Sequence, residues 1–418
     1  MKRALIPLLI ILGSVMIIVA LGISLFYPQA RTHKKVLPTH GAGASVASSA
    51  QYLYYALKNP QGFMLARAVK GPDGRPLGNP QPLTLLDNGF GQAESDSIST
   101  LQLSPDGRYL AIDGSRDHGD LVWIYDTQAT TLRLIPPGVM GNFLHWLPGK
   151  TADIFLYRPM FPAGPDAPLD NGVWNPGLWL VDAATGLHQN INIGVSAAFL
   201  IDAAPSPDGS QIVYSTTAGL GRGSDTWRMN SDGHAQTLLF HIADSSQDIA
   251  GLFAWSPDGT SIAYERLSDS ATPFLPASLW LMDNHGETQR HLTDVDGGHG
   301  FAPSWSPDGS KIAFVVRTNV GDHQADTLPQ ALQCAIGVVM VGDGRTWLVA
   351  SSQQTAKPWN INPTWTMDSH SIIFTALDPV NRVLGGTPRY WSAHVIGPQE
   401  KPLALPISPV LPHVVAVG

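Results

Sequence analysis

The stretch that decides the fold is WSPDGTSIAYERL, which begins at Trp255 and recurs fifty residues later as WSPDGSKIAFVVR from Trp305. Two further copies are LSPDGRYLAIDG from Leu103 and PSPDGSQIVYST from Pro205. In each copy Ser-Pro-Asp-Gly predicts a tight turn, because proline presets φ, aspartate bonds the local backbone and glycine accepts a positive φ. The alternating, β-branched run after it predicts a strand.

A second column of residues follows the same period. Five tryptophans each stand three residues before an Asp, Asn or His, namely Trp123, Trp179, Trp227, Trp280 and Trp391. The repeated unit is therefore strand a, SPDG turn, strand b, variable loop, strand c, short turn and strand d. Four antiparallel strands in about fifty residues predict a β-propeller blade.

Degenerate copies from Trp146 and Trp365 complete six full blades, which occupy residues 98–135, 142–193, 199–240, 250–292, 301–350 and 360–405. Residues 51–86 provide strands b, c and d but no strand a, and the tail at 410–416 can supply it. We therefore predict an all-β, seven-bladed propeller over residues 51–418, closed by the C-terminal strand 410–416. Closure removes exposed sheet edges. Six blades is the alternative, if residues 51–86 only cover an edge.

The N-terminal residues predict a membrane anchor. Residues 1–3 form a short stub, and Ala4–Tyr27 is a run of 24 residues without a charge. A helix of that length crosses a bilayer core of about 30 Å. It is longer than the apolar centre of a cleaved signal, about 7–15 residues, so we prefer an uncleaved transmembrane anchor and keep a cleaved signal as the alternative. Residues 36–50 are small and polar with one proline, and we predict that residues 28–50 form a flexible linker.

Such a signal anchor would export the large domain that follows it. The predicted location is the cell membrane, with a single span and the propeller on the extracytoplasmic side. The net charge of −8 disfavours binding to nucleic acid. A single cysteine, Cys334, excludes an intrachain disulfide framework and is predicted to be a small core residue.

The repeat WSPDGxxIAF, followed by LWLMDxxG, resembles the repeats of TolB-type propellers, which are similar to WD-type repeats. The copies from Pro205, Trp255 and Trp305 carry the resemblance most closely, and it covers most of residues 51–418. It implies the propeller fold. It does not assign a function, because propellers host binding, scaffold and enzyme roles alike.

The turn aspartates Asp106, Asp208, Asp258 and Asp308 are predicted to cap their own turns rather than to form an acidic site. The tryptophans recur in the same column of successive copies, as packing between blades demands. We therefore predict that they belong to the core and not to a stacking surface.

The connections between strands b and c, and between strands d and a, lie on one face of a propeller. The b–c loops here are long and irregular: 158–175, 217–224, 267–277, 318–334 and 377–388. Long loops on a rigid scaffold are where binding sites lie, so we predict that this face binds a ligand. Phe161 and Trp174 predict a partly apolar lip within the first loop.

Polar residues of two neighbouring connections on that face are expected to lie close together: Asp294, Asp296, His299, Asp322, His323 and Asp326. Carboxylates and imidazoles together can bind a divalent metal or act as acid and base. A solvated loop is the preferred interpretation. We predict no metal, no cofactor and no catalytic residue.

Hydrolase and metalloenzyme motifs are absent, since the chain contains no GxSxG, HExxH or CxxC. The predicted function is non-catalytic binding or scaffolding, with a protein, peptide or glycan partner on the b–c loop face. The alternative is an enzyme, a lyase or hydrolase acting on a carbohydrate or lactone, with the polar or metal site at the channel mouth. A subunit of a membrane complex is a third class.

Overall fold

In a computed structural model, the chain forms seven antiparallel sheets of four strands each. The seven sheets are the blades of a β-propeller, with strand a innermost and strand d outermost. The prediction of seven blades is confirmed, and the six-bladed alternative is wrong. The structure describes residues 52–70, 76–86, 90–92, 96–116, 119–135, 139–149, 154–162, 177–191, 193, 199–243, 247–269, 277–295, 301–325, 328, 331–366, 368–377, 389–395, 403–404 and 412–417.

The strands follow one another around the ring in chain order. Blade 1 contains β1 (Tyr52–Asn59), β2 (Gly62–Lys70), β3 (Pro76–Leu85) and, from the other end of the chain, β28 (Pro412–Val417). Blades 2 to 4 contain β4 (Ser97–Leu103), β5 (Tyr109–Arg116), β6 (Gly119–Asp126) and β7 (Thr131–Leu134); β8 (Val139–Trp146), β9 (Ile154–Pro162), β10 (Leu178–Asp182) and β11 (His188–Ile191); and β12 (Phe199–Pro205), β13 (Gln211–Thr217), β14 (Ser224–Asn230) and β15 (Thr237–Ile242).

Blades 5 to 7 contain β16 (Asp248–Trp255), β17 (Ser261–Ser268), β18 (Ala277–Asp283) and β19 (Gln289–Val295); β20 (Ser304–Trp305), β21 (Lys311–Arg317), β22 (Cys334–Met340) and β23 (Thr346–Ala350); and β24 (Trp359–Trp365), β25 (Ser371–Leu377), β26 (Arg389–His394) and β27 (Leu403–Ala404). A short helix, α1 (Ser352–Thr355), connects blade 6 to blade 7.

The ring is closed by the strand predicted from the sequence. β28 is the inner strand of blade 1 and pairs antiparallel with β1, so that Leu53 lies opposite Val417 and Tyr55 opposite Val415. The two ends of the propeller chain therefore share one sheet. The closing strand begins and ends slightly later than the predicted bounds of 410–416.

Strand directions define two faces. We call the side with the a–b and c–d turns the turn face, and the side with the b–c and d–a connections the loop face. Tyr52 begins strand b and Val417 ends strand a of blade 1, so the chain enters and leaves the propeller on the turn face. The predicted stub, span 4–27 and linker 28–50 lie outside the described residues. Within the described part of the chain, no helix is long and apolar enough to cross a membrane.

The SPDG turns have the predicted geometry. Their glycines, Gly107, Gly209, Gly259 and Gly309, all have φ between 68° and 71°. Asp258 accepts hydrogen bonds from the Ser256 hydroxyl at 2.6 Å and from the Thr260 amide at 3.0 Å. The same pair of bonds forms in the other copies, at Asp106, Asp208 and Asp308. The turn aspartates therefore cap their own turns, as predicted.

The strand-a tryptophans join neighbouring blades. The Trp255 indole N–H donates to the Ala204 carbonyl of blade 4 at 3.0 Å. The equivalent bonds are Trp146 to Gln102 at 3.0 Å, Trp305 to Ala254 at 2.9 Å and Trp365 to Ser304 at 2.9 Å.

The strand-c tryptophans also pack in the core, as predicted. Trp123 and Trp179 are buried, whereas Trp227 and Trp280 are partly buried. Cys334 is buried too, so the prediction that it is a small core residue is confirmed. The side chain of Trp391 lies outside the described part of the structure.

Gly209 and Gly259 lie in equivalent turns and both have a positive φ. Replacing each by alanine compares the cost of backbone strain alone with the cost of strain plus a steric clash. A Cβ at Gly209 would lie 1.6 Å from the Pro148 carbonyl oxygen, whereas a Cβ at Gly259 would meet nothing closer than Pro207 Cδ at 3.7 Å. We expect Gly259→Ala to lower the free energy of unfolding by about 1–2 kcal/mol, the cost of a left-handed residue. Gly209→Ala must also displace a main-chain oxygen, so it should cost about 1–3 kcal/mol more. Urea denaturation of both variants checks this, and equal losses would contradict it.

Candidate functional site

The structure places the predicted site residues on the loop face where it describes them. Asp294 is the second-last residue of β19 in blade 5, and Asp322 and His323 lie in the b–c loop of blade 6. Phe161 belongs to β9, opposite Met140, because that strand continues to Pro162 and the predicted loop 158–175 begins too early. The remaining four predicted residues, Asp296, His299, Asp326 and Trp174, lie outside the described residues.

The described members of the predicted polar cluster have local partners. Asp322 accepts from Asn319 Nδ2 at 3.2 Å and from the Gln324 amide at 3.0 Å, so it shapes its own loop. Asp294 is 81% exposed and lies 3.4 Å from His291 Nε2. Within the described ranges, no group of three His, Cys, Asp or Glu side chains is arranged to hold a metal ion.

The loop face carries an apolar feature that the sequence did not reveal. Val320, Phe199 and Leu220 are the most exposed large apolar side chains of the described residues, at 68%, 54% and 48%. Phe199 begins strand a of blade 4, Leu220 lies in the b–c loop of that blade, and Val320 lies in the b–c loop of blade 6. All three are on the loop face, and we call them the apolar rim.

The loop that carries Leu220 is fixed from both sides. The Gly221 amide donates to the buried carboxylate of Asp269 in blade 5, and the Arg222 amide donates to the Gly219 carbonyl at 3.2 Å. A Cβ at Gly223 would lie 2.1 Å from the Ile242 carbonyl oxygen, so the loop passes directly against strand d. Leu220 is thus exposed on a rigid turn.

The loop that carries Val320 is held by a single asparagine. Asn319 Nδ2 donates to the Ala331 carbonyl at 2.9 Å, and its Oδ1 accepts from the Gln333 amide at 3.0 Å. The Thr318 amide closes the base of the loop on the Gln333 carbonyl at 2.8 Å. A side chain bridging the two limbs of a long loop holds it in one conformation, and Val320 is presented next to that bridge.

Between blades 2, 3 and 4, on the loop-face side, lies a set of polar side chains that we call the inner polar cluster: Asp113, Asp120, Asn142, Arg158 and Asp202. Arg158 donates to the Ile201 carbonyl and to Asn142 Oδ1, both at 2.7 Å. Asn142 Nδ2 in turn donates to Asp120 at 2.5 Å. Asp202 accepts from the Phe253 amide of blade 5 at 2.9 Å. The cluster therefore links four consecutive blades.

The electrostatics of the cluster follow from burial. Burial raises the pKa of Asp113 well above its ordinary value, and the negative charge of Asp120 adds to the effect, while Arg158 and the Phe143 amide oppose it. Burial lowers the pKa of His145, against the attraction of Asp202. The imidazole of His145 is therefore neutral, and the carboxyl of Asp113 resists ionisation. Arg158 donates its hydrogen bonds to Asn142 and to the Ile201 carbonyl, inside the fold. The arrangement stabilises the ring rather than exposing an acid and a base together.

A sequence signal for this cluster existed but needed alignment of the copies. Asp113, Arg158 and Glu265 occupy the same column of strand b, one residue after a buried Ile or Tyr, where the other copies have Ser215, Val315 and Thr375. Charged residues in an otherwise apolar strand column mark a special site. Their contacts with neighbouring blades could be seen only in three dimensions.

The fold is that of a seven-bladed β-propeller. No family model matches the chain. A segment is 32% identical over 87 residues to the Tol-Pal system protein TolB of Alcanivorax borkumensis, covering 21% of this chain and 18% of that protein. The uncharacterized protein Atu1656 of Agrobacterium fabrum is 25% identical over 274 residues, covering 62% of this chain and 80% of the other. The chain thus matches less than a fifth of TolB's length.

A solved structure with a similar shape is the oligogalacturonate lyase of Vibrio parahaemolyticus. It has a TM-score of 0.46 and 14% identity, and the match covers 84% of this chain and 92% of the lyase.

The raised pKa of Asp113 predicts a pH-dependent variant. A carboxyl whose pKa is higher in the folded state favours folding while it is protonated, and that contribution is lost as the pH rises. Asp113→Asn stays neutral and keeps an acceptor for the Phe143 amide. We expect it to be more stable than the original protein at about pH 8 and to lose that advantage as the pH falls to about 3, below the ordinary pKa of an aspartate in the unfolded chain. Urea unfolding at the two pH values measures this, and a loss of the same size at both would contradict it.

Proposed function

We propose that this protein is a membrane-anchored, extracytoplasmic propeller whose loop face binds a protein or peptide partner without catalysing a reaction. The apolar rim carries the proposal. The three most exposed large apolar side chains among the described residues share one face. A partner that covers this face would bury all three side chains, and burial of apolar surface favours association.

The rigidity of the two supporting loops supports binding. Leu220 and Val320 lie on loops that hydrogen bonds hold in one conformation before any partner arrives. A preorganised loop loses little conformational entropy on association, so more of the contact energy appears as affinity. A partner that buries these side chains removes their apolar surface from water, which favours association.

The charged groups of the loop-face interior support binding over catalysis. Arg158 is engaged with Asn142 and with the main chain of blade 4. Asp202 is engaged with two main-chain amides, those of Ala203 and Phe253. Groups whose hydrogen-bonding capacity is used inside the fold hold the loops in place, and they are not available to attack a substrate.

The position of the chain entry supports an anchored arrangement. The propeller begins at Tyr52 on the turn face. If residues 4–27 span the membrane, a flexible linker of residues 28–50 has an r.m.s. length of roughly 25 Å. The turn face is then the side from which the tether extends, and the loop face, on the other side of the ring, remains accessible to a partner or to a larger membrane complex.

Two double variants test the apolar rim: one changes side chains of the rim, and the other changes exposed leucines elsewhere. Leu220→Ser together with Val320→Ser should weaken partner capture by roughly thirtyfold, the effect of losing about 2 kcal/mol at a central contact. Leu187→Ser together with Leu348→Ser removes leucines of 46% and 44% exposure that lie elsewhere, in the blade 3 c–d turn and on an outer strand. That control should capture the partner normally.

The readout is quantitative recovery of the same partner on immobilised full-length protein and on both double variants. Equal losses in the two variants would contradict the assignment to the loop face. A captured partner that resists protease and is destroyed by periodate would be a glycan, and it would contradict the choice of a protein partner.

The anchor is tested by fractionation. Full-length protein should sediment with membranes and resist extraction by carbonate, because an apolar helix of this length is stable in the bilayer. Protein lacking residues 4–27 should remain in the soluble fraction. External protease on intact spheroplasts should digest the propeller of the anchored form. Digestion only after lysis would reverse the proposed orientation, and a shortened mature N-terminus would indicate a cleaved signal.

A further inference from the structure

The turn face has a groove between blades 4 and 5. It has a volume of about 340 Å³ and lies between two consecutive SPDG turns. Its lining is mainly polar and includes Asp208 and Asp258, while Trp255 and the prolines Pro207 and Pro257 contribute the apolar surface. Gln211 also lines it, at the start of strand b of blade 4.

The carboxylates at this groove are held in the charged form. The Ser206 hydroxyl and the Ser210 amide lower the pKa of Asp208, and the Ser256 hydroxyl and the Thr260 amide do the same for Asp258. The lining residues include no Lys, Arg or His. The groove therefore combines an indole, two prolines and two permanent negative charges, which is the environment that suits an alkylammonium group.

The propeller contains a filled copy of the same groove. Between blades 6 and 7, Lys311 occupies the position that Gln211 has in blade 4, six residues after the first residue of the motif. Its Nζ lies 5.7 Å from the centre of the Trp365 ring, 3.6 Å from Asp308 and 2.9 Å from Ser310 Oγ. The side chain is only 18% exposed. A lysine of the chain itself thus occupies this groove.

The two grooves share the tryptophan and the first turn but differ in the second turn, where Met367 and Ser369 stand in place of Pro257 and Gly259. Trp255 and Trp365 make the same indole bond to the preceding inner strand. Asp208 and Asp308 make the same turn hydrogen bonds. At the strand-b position Gln211 stands in place of Lys311, so blade 4 keeps the carboxylate and the indole but supplies no ammonium group.

We infer that the groove between blades 4 and 5 binds a lysine side chain of a protein partner, in the position that Lys311 fills between blades 6 and 7. The alkyl stem packs between Pro207 and Pro257, and the ammonium group lies over Trp255 and beside Asp208. Charge complementarity favours such a partner, because residues 51–418 contain 20 Lys and Arg against 33 Asp and Glu. The site is on the turn face, and it is therefore separate from the apolar rim.

The internal copy supplies a matched pair of variants. Gln211→Lys should fill the groove from within and abolish binding there, as Lys311 does in blade 6. Lys311→Gln should empty the groove between blades 6 and 7 and create a second site. Each variant exchanges the strand-b side chain of one groove for that of the other, and both substitutions are at positions where the fold already accepts the new residue in an equivalent copy.

The probe is the peptide acetyl-Gly-Lys-Gly-amide, with the same peptide carrying Nε-acetyl-lysine as the control. Full-length protein labelled with 5-fluorotryptophan reports on each indole by ¹⁹F NMR, with Trp255→Phe and Trp365→Phe used to assign the two signals. The lysine peptide should shift the Trp255 signal saturably in the millimolar range. The acetylated peptide should bind at least roughly tenfold more weakly, since it lacks the charge.

In Gln211→Lys, the Trp255 signal should no longer respond, while thermal unfolding stays cooperative. In Lys311→Gln, the Trp365 signal should gain a response that it lacks in the original protein. The proposal is overturned if Trp255 does not respond in the original protein, if both peptides shift it equally, or if it still responds in Gln211→Lys. A silent Trp365 signal in Lys311→Gln would equally overturn it.

Discussion

A hydrogen bond between the strand-a indole of one blade and a main-chain carbonyl of the blade before it determines how the ring is assembled. A buried indole N–H needs an acceptor, and here the acceptor is always the residue just before the equivalent position in the preceding copy. Trp255, Trp305 and Trp365 make this bond at 2.9–3.0 Å. Four of the seven blades make this bond, those with Trp146, Trp255, Trp305 and Trp365, and in each of them it fixes the inner strand against the blade before it.

The interface between blades 3 and 4 is one that lacks this bond, and it is stabilised differently. Blade 4 has Pro205 where blades 3, 5, 6 and 7 have tryptophan, so no indole can reach back to blade 3. Arg158 of blade 3 instead donates to the Ile201 carbonyl of blade 4. Gly209 of blade 4 packs against the Pro148 carbonyl so closely that no side chain fits between them. The inner polar cluster thus lies where the ring needs another connection, and this explains why a charged side chain interrupts an apolar strand column.

The same architecture explains why the two faces differ. The turn face contributes to contacts between blades: Arg228 donates to the Asn284 carbonyl of the next blade at 2.7 Å, and Arg290 donates to the Val341 carbonyl at 2.6 Å. Turns that make such contacts must keep their length and shape. The b–c connections, such as those containing Leu220 and Val320, are not constrained by this repeat, so they vary in length and carry the apolar rim.

What the sequence could predict follows from how local each feature is. The SPDG turns, the strand order and the closing strand were predictable because each copy encodes its own turn and strand, and because residues 51–86 lack a strand a. The inner polar cluster was missed because its partners lie in other blades. The apolar rim was missed because Leu220 and Val320 are isolated apolar residues in polar loops, and only their exposure in the folded chain distinguishes them from core residues.

In a repeat protein, a residue that differs between copies can be compared with its counterparts in the same structural position. Such differences indicate where one copy has a role that the others lack. Ser369 replaces the turn glycine of blade 7 at a φ of 61°, and its hydroxyl accepts the Asp308 amide at 3.0 Å, so that difference has a structural explanation. Asp113, Arg158 and Glu265 share a column, and the first two take part in holding blades together. The change from Lys311 to Gln211 has no such explanation. It removes the partly exposed ion pair of Lys311 with Asp308, while the turn around Asp208 keeps the same hydrogen bonds, and the proposed lysine site rests on that difference.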